Sequence, residues 1–564
     1  MAGFTGCGDR CTFVPMKWPC ALFVVGTALL LIAWSSLAAD NAPLPRKKLI
    51  MSGWDQPDAA QFRRDIKEFE KYPFDGVILT VPGKRNDGTS FSSYDNLFSA
   101  EPWNEAMFAS SLADLKATRS AQVTDNFVIL WSLPTSVNWF NDSGWAVIAE
   151  KFRIMAWVAK AGGLRGILFD PEHYSPTKKA WQYSTQPNRG QRTFAEYSAK
   201  VRQRGQETMR AMAAEYPDIT LFGYWLLSVN LRALDPDGSL AGLESEQYGL
   251  LVAFVDGWLD SAPATVKLVD GQEAAYRWDG EAQFQAGALR VKNDCQAFVT
   301  PANRAKYRAQ VQASFGFYLD AYVNPPGSSY YLGREGEPRV NRLEANLDAA
   351  VRAADEYLWI YGEKYRWWPV PPGGRQPATN WREALPGIDL ALLRVKDPAG
   401  AARRLLASAG TNLLLNGDFS NAAEGTPANW WVWQDEKQPT GRFTCEQSIS
   451  AVRLTRVSDG CFGQNFKAQP GERYALAAKT RQTGHGVVTL RIGWKSAAGK
   501  WTRNDANVRL ALADPKPGEW QELAGSVRVP EGAADLIVML HAAGQAEDSD
   551  QAWFKDVRLA RFGQ

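Results

Sequence analysis

The chain is poor in the residues that most metal and nucleophile chemistries require. Its 564 residues include three His, namely His173, His485 and His541, far apart in sequence. Zinc and iron centres built on His clusters are therefore disfavoured. A Ser-His-Asp triad would have to draw on one of these three, and no G-x-S-x-G elbow accompanies them. The phosphate-cradling patterns G-x-x-x-x-G-K-[ST] and strand-linked G-x-G-x-x-G are missing too, which argues against nucleotide chemistry. An excess of one charge is also lacking, since 63 Lys and Arg face 61 Asp and Glu. No nucleic-acid partner and no disordered polyelectrolyte is expected from such a balance.

Long hydrophobic runs are limited to one. Ala21–Trp34 is apolar over 14 residues, short of the ~20 that span a bilayer but matched to the core of a signal peptide. Small residues at Ser36 and Ala38, with Ala39 as the rival site, suit cleavage. Residues 1–39 are thus expected to be a signal peptide, with Met16-Lys17-Trp18 as an alternative start and an uncleaved anchor as the competing reading. Export to the periplasm or the outside follows, without a stable membrane span. Beyond this segment remain Cys295, Cys445 and Cys461. The last two are 16 apart and suit a disulfide in an oxidising compartment, leaving Cys295 as a buried thiol.

What the chain has in quantity is carboxylate and indole, the latter from 23 Trp. Carboxylates move protons at glycosidic oxygens, and flat aromatic faces stack on sugars. Core packing is the competing role for each Trp. The expected partner is a polysaccharide or oligosaccharide, handled by a monomer that needs no cofactor for catalysis.

From residue 46 to 370 short β-rich runs alternate with amphipathic helices. The runs are KLIMSGWD (48–55), DGVILTV (75–81), NFVILWSL (126–133), LRGILFDPE (164–172), ITLFGYW (219–225), TVKLVDG (265–271), ASFGFYLDAYV (313–323) and EYLWIYGEK (356–364). A helix after the first run carries Phe62, Ile66 and Phe69 on one stripe, and another carries Phe194, Tyr197, Val201, Thr208 and Met212. Eight such strands predict a (β/α)8 TIM-type barrel. A doubly wound open sheet is the alternative, but its Gly-rich first turn is absent. Residues 371–411, rich in Pro, Gly and Ala, read as an exit segment and linker. From Asn412 to residue 562 only short alternating runs remain, which predicts an all-β sandwich.

The sandwich phrases carry a resemblance. Asn416-Gly417-Asp418-Phe419, Pro427 with Trp430, Pro470-Gly471 with Tyr474, Trp520, Pro530 and Trp553-Phe554-Lys555-Asp556-Val557 resemble the family 4/9 carbohydrate-binding modules. That resemblance implies a jelly roll appended to a polysaccharide hydrolase. It also implies a structural Ca2+, with Asp418 and Asp556 as candidate ligands; the chain departs from the family in having Lys555 where a second Asp is frequent. A turn cap is the other role open to Asp556.

In a barrel of this type the active site lies at the C-terminal strand ends. Strand parity aims Asp170 and Glu172 into the mouth, with Pro171 stopping the strand. Two carboxylates so placed raise each other's pKa and make a general acid available. The D-x-E spacing resembles the end of the D-x-x-D-x-D-x-E motif of chitinase-type family 18 glycosidases. That resemblance implies Glu172 as the acid and Asp170 as the group that orients a substrate acetamido group. The earlier Asp positions hold other residues, Leu168 among them, which puts the assisted mechanism in doubt. A cap or surface ion pair is the bland alternative for this pair.

The second catalytic carboxylate is expected to be Glu363, aimed inward beside Trp359, with Asp270 in reserve. Substrate contacts are expected from Trp54, Asp55, Trp131, Tyr174, Trp225, Asp320 and Trp359; Trp139 is a further rim candidate. Competing functions are a non-catalytic glycan-binding or cell-surface protein, and a metal-assisted hydrolase using Asp55, Asp170, Glu172 and His173.

Overall fold

A computed structural model describes residues 46–562 apart from 95, 133–137, 176–178, 371–377, 424 and 503–506. The expected signal peptide lies outside the described residues. The chain divides into two compact units with the boundary between Gly410 and Thr411.

In the first unit nine strands form one parallel sheet. They are β1 (Lys48–Gly53), β2 (Gly76–Leu79), β3 (Phe127–Trp131), β4 (Gly166–Asp170), β5 (Thr220–Gly223), β6 (Lys267–Asp270), β7 (Val311–Ala313), β8 (Phe315–Tyr318) and β9 (Tyr357–Gly362). The order is β8-β9-β1-β2-β3-β4-β5-β6-β7, so the two end strands are neighbours in the chain, parted only by Ser314. The Ser314 N–H donates to the Asp270 carbonyl at 2.9 Å and its hydroxyl to the Tyr357 carbonyl at 2.8 Å. The sheet is a nearly closed parallel barrel with helices around it. All eight expected strands are present; β7 is the addition, because the seventh run breaks at Ser314 into two registers.

Side chains alternate as the sequence implies. Phe169 points outward onto Phe152 of α2 (Asp142–Ala161) and Phe254 and Trp258 of α4 (Gly249–Ser261). Inside, Phe127 packs edge to face with Phe222 and Tyr357, which meet each other at a tilt. Helix α1 (Ala59–Phe69) buries Phe62, Ile66 and Phe69, and its first turn is capped by Asp58, which accepts from the Gln61 N–H at 2.7 Å. Helix α3 (Phe194–Glu215) opens with a capping box between Thr193 and Glu196, and buries Tyr197, Val201, Thr208 and Met212.

Two expectations change. Residues 381–408, read as linker, form helices Trp381–Ala384, Ile388–Lys396 and Pro398–Ser408. Ile388, Ala391, Leu392 and Val395 bury one stripe in the core of the barrel unit, so that unit extends to Gly410. The signal was Asp397-Pro398, a capping side chain followed by Pro at the first helical position. The seventh run also stops early: Leu319–Tyr322 is a 3-10 turn.

The second unit contains two five-stranded antiparallel sheets. One runs β10 (Trp431–Gln434), β13 (Asp459–Lys467), β18 (Asp535–Ala543), β15 (Val487–Lys495) and β16 (Val508–Ala511). The other runs β11 (Arg442–Glu446), β12 (Ala451–Thr455), β19 (Gln551–Phe562), β14 (Arg473–Thr483) and β17 (Gln521–Arg528). Phe462, Leu490, Ile492, Val538 and Leu540 from the first share a core with Val452, Leu454, Leu476, Phe554 and Leu559 from the second.

The proposed disulfide is corrected by this topology. Cys445 lies on β11 and Cys461 on β13, in different sheets, and both thiols are free. The Cys445 Sγ lies 3.8 Å from the Phe419 carbonyl oxygen, while Cys461 is buried opposite His541. Cys295 is a buried thiol, as expected. Among the described residues no helix is long and apolar enough to cross a membrane.

Candidate functional site

At the C-terminal ends of the barrel strands Asp170 and Glu172 lie as parity requires. Asp170 is buried; its Oδ1 accepts the Glu172 N–H at 2.9 Å, and the Tyr94 hydroxyl lies 3.5 Å from its Oδ2. Burial, with the Glu172 charge adding, pushes Asp170 up to about 8. Burial also pushes Glu172 up; a hydrogen bond from the Tyr174 hydroxyl to its Oε2 pulls it back, and the charge of Glu363 adds to the rise. The indole of Trp131 donates to the Glu172 carbonyl at 2.6 Å and fixes that peptide.

Glu363 reaches the same mouth from β9. Burial raises its pKa, the Tyr318 hydroxyl opposes by donating to it, and Asp320 adds to the rise. A fourth carboxylate, Glu273, completes the group. Burial pushes it up to about 8, Glu172 and Asp170 add, Arg277 opposes and Glu363 adds again. Its N–H donates to the Tyr224 carbonyl at 3.1 Å. Parity reasoning missed Glu273 because Gln272, in the left-handed region at φ 42°, turns the chain just past the strand. The tyrosines Tyr94, Tyr224 and Tyr318 around these acids were missed as well, each lying in a strand end or loop that only the fold brings in.

Three other acids serve the scaffold instead. Asp270, the reserve for the second carboxylate, is fully buried; its Oδ2 accepts the Leu227 and Ser228 N–H groups at 2.9 Å each, and its Oδ1 the Ser228 hydroxyl at 2.6 Å. Asp320, expected to touch substrate, is buried and accepts the N–H groups of Glu363 at 2.9 Å and Lys364 at 3.1 Å. Asp55 accepts the N–H groups of Trp367 at 2.5 Å and Trp368 at 3.2 Å, and burial pushes it up to about 7. Each is positioned beside loop N–H groups that would otherwise be buried unpaired.

The aromatic expectations divide similarly. Trp54 is 70% exposed and Tyr174 71%, and Trp131 is half-buried, stacked on Tyr94 at 5.2 Å. Gly53, at φ 138°, lets the chain turn Trp54 outward; a Cβ there would sit 2.2 Å from the Gly362 carbonyl oxygen. The Trp54 indole is hydrogen-bonded to the Tyr361 hydroxyl. Trp359 does point inward, but it is fully buried, donating to the Gly271 carbonyl at 2.8 Å under the ring of Tyr224. Trp225 is buried edge-on to Tyr248, and Trp139 packs against Trp145 in the core. These three are structural rather than open platforms.

No group of three or more His, Cys, Asp or Glu placed to hold a metal ion occurs among the described residues. His173 is buried against Tyr248 at 4.6 Å, and burial lowers it to about 4. Asp418 accepts from the Ser420 N–H and hydroxyl, and Asp556 pairs with Lys479 at 2.8 Å. Each carboxylate is engaged locally, and among the described residues no third acid joins them. A cavity of about 700 Å³ at the opposite end of the barrel is lined by Arg46, Lys48, Asp75, Asp125, Glu356 and Lys396, whose charges are consumed in mutual ion pairs.

The second unit has an aromatic face of its own. Across the sheet β10-β13-β18-β15-β16 one outward row reads Trp431, Gly463, Met539, Arg491, Arg509. The next reads Trp433, Cys461, His541, Thr489, Ala511. Glycine is required at two points: a Cβ at Gly463 would lie 2.2 Å from the Trp431 ring and one at Gly493 2.6 Å from the Trp501 ring. The indoles therefore lie flat on the sheet. Trp431, Trp433 and Trp501 are 37%, 49% and 51% exposed.

No protein-family model matches the chain, and no curated protein matches it. Partial likenesses to solved structures exist. One is the enzymatically active domain of bacteriophage CBA120 tailspike protein 4, at 15% identity over 27% of this chain and 21% of that one, TM-score 0.22. A second, described as CBM4 structure and function, has 16% identity over 26% of this chain and 99% of that one, TM-score 0.21. A third is the CBM22-1–GH10 part of Clostridium thermocellum endo-1,4-beta-D-xylanase 10B with xylohexaose, at 14% identity over 28% and 29%, TM-score 0.21. The chain thus spans about a fifth of the first structure and under a third of the third. At such scores these likenesses assign neither fold nor activity.

Proposed function

We propose that the barrel unit is a glycoside hydrolase of the (β/α)8 type acting on a polysaccharide or oligosaccharide, and that the second unit is its jelly-roll carbohydrate-binding module, the whole being exported. The carrying observation is the group Asp170, Glu172, Glu273 and Glu363, carboxylates with raised pKa at a mouth that also carries the exposed rings of Trp54 and Tyr174 and the half-buried Trp131. A raised carboxyl pKa favours the protonated form that a general acid needs when a sugar leaving group departs.

Glu172 is the general acid in this reading, because it is the partly exposed member of the Asp170–Glu172 pair. Asp170, buried beside it, accepts the Glu172 N–H and holds that peptide. Glu363 or Glu273 supplies the second carboxylate, as nucleophile or as base for a water. Screening polysaccharides for released reducing ends, with wild type beside Glu172→Gln, tests the assignment. Loss of hydrolysis with binding retained is expected; unchanged hydrolysis would overturn it. One observation favours a non-catalytic glycan-binding barrel: the Tyr174 hydroxyl donates to Glu172 Oε2. Glycan binding without any reducing ends, in wild type and Tyr174→Phe alike, would decide for that reading.

A further inference from the structure

The outward row on the second unit ends in two arginines. Arg491 on β15 and Arg509 on β16 are direct cross-strand partners on the same side of an antiparallel pair. Like charges placed so destabilise a sheet. Neither arginine forms an ion pair among the described residues; the Arg491 Nε donates to the Thr489 hydroxyl at 3.0 Å. Burial holds Arg491 down to about 10, and the Arg509 charge adds to that drop, while Asp459 and Cys461 oppose it. Lys495 brings a third cation, 4.9 Å above the Trp501 ring. Two acids flank this surface: Asp459, hydrogen-bonded to the buried His541 at 2.6 Å and close enough to Arg491 to oppose its drop, and Asp535, paired with Lys467 at 2.8 Å.

A neutral sugar chain gives no reason to hold two guanidinium groups together against their repulsion. A carboxylate does, because it accepts from guanidinium groups in a planar, bidentate manner and cancels the charge. The row from Trp431 to Arg509 crosses five strands, roughly 19 Å at ~4.8 Å per strand, so one extended chain can meet indole and guanidinium together. We infer that this face binds an acidic glycan, a chain bearing uronic-acid carboxylates. Arg491 and Arg509 receive a carboxylate, and Trp431, Trp433 and Trp501 stack on the ring faces. The inference rests on the reading of this unit as a carbohydrate-binding module and names its ligand class.

The test uses the full chain and calorimetric titration with polygalacturonate, alginate and glucuronoxylan, each beside its carboxyl-reduced counterpart, and with dextran sulfate. At least one uronate polymer should bind, its reduced form should not, and affinity should fall as salt rises. Arg509→Gln should weaken that binding by about tenfold while raising the melting temperature of this unit, since it relieves the repulsion. A merely structural arginine would lower it. Trp501→Ala should weaken binding to every glycan tested. Equal binding of the reduced polymers, tighter binding of dextran sulfate than of any uronate, or an Arg509→Gln variant with unchanged affinity overturns the inference and leaves the module reading standing. Absence of binding to any glycan, reduced or not, overturns both.

Discussion

The barrel mouth and the outer face of the second unit each force like charges together, with opposite sign. At the mouth four carboxylates are sunk beside rings and shifted upward, to about 8 for Asp170 and Glu273. On the sheet face Arg491 is partly buried and Arg509 exposed; burial and the Arg509 charge lower Arg491 only to about 10, so both keep their charge. The type of group decides the response: a buried acid relieves repulsion by holding its proton, whereas an arginine keeps its charge even when partly buried and waits for an anion. The same comparison separates acids within the barrel. Asp55, Asp270 and Asp320 are as buried as Asp170, but loop N–H groups converge on their oxygens, so they anchor chain rather than contact ligand.

The sharpest way to break this contrast is Glu172→Gln. It should lower hydrolysis by about 10²–10⁴-fold, measured as reducing ends, with glycan binding by the full chain retained. Next in size is Asp270→Ala, which strands the Leu227 and Ser228 N–H groups in the interior. It should destabilise the barrel unit by roughly 2–4 kcal/mol, seen as a lower denaturant midpoint, with the transition of the second unit unmoved.

A third test sets the two units against each other by pH. Folded Asp55, Asp170 and Glu273 keep protons up to about 7, 8 and 8, well above the ordinary 3.8 for Asp and 4.5 for Glu. Over that window the folded barrel binds more protons than the unfolded chain, so its stability falls as pH rises. In the second unit burial holds His541 at about 4, below 6.5, so its stability falls as pH drops through that window. Scanning calorimetry should show the two transitions moving in opposite directions between pH 5 and pH 6.5; parallel movement would contradict this account. Asp170→Asn should flatten the barrel's slope. The smallest effect belongs to Tyr174→Phe. Its hydroxyl lowers the Glu172 pKa, so its loss should move the basic limb of the pH–rate profile to higher pH.

Much of the barrel was legible because strands buried on both faces read as runs of Val, Ile, Leu and aromatics. Parity along LRGILFDPE and EYLWIYGEK aimed Asp170, Glu172, Tyr357 and Trp359 correctly. It could not distinguish Trp359 as a floor open to ligand from Trp359 roofed by Tyr224, since the roof comes from another strand. Nor could it find Glu273, because one left-handed residue past a strand resets the alternation. The helices of 381–408 hid in a segment whose Pro, Gly and Ala content resembles a linker, although Asp397-Pro398 marked a helix start.

By itself the sequence determined local conformation, the alternation of faces, the change from mixed to all-β architecture and the pairing of Asp170 with Glu172, since all of these depend on neighbours along the chain. Tertiary structure decided which acids meet backbone N–H groups and which meet one another. It put Cys445 and Cys461 in different sheets, and it set Arg491 against Arg509. Those outcomes depend on strand order and register, which bring together residues tens to hundreds of positions apart, and there solvation and charge are settled.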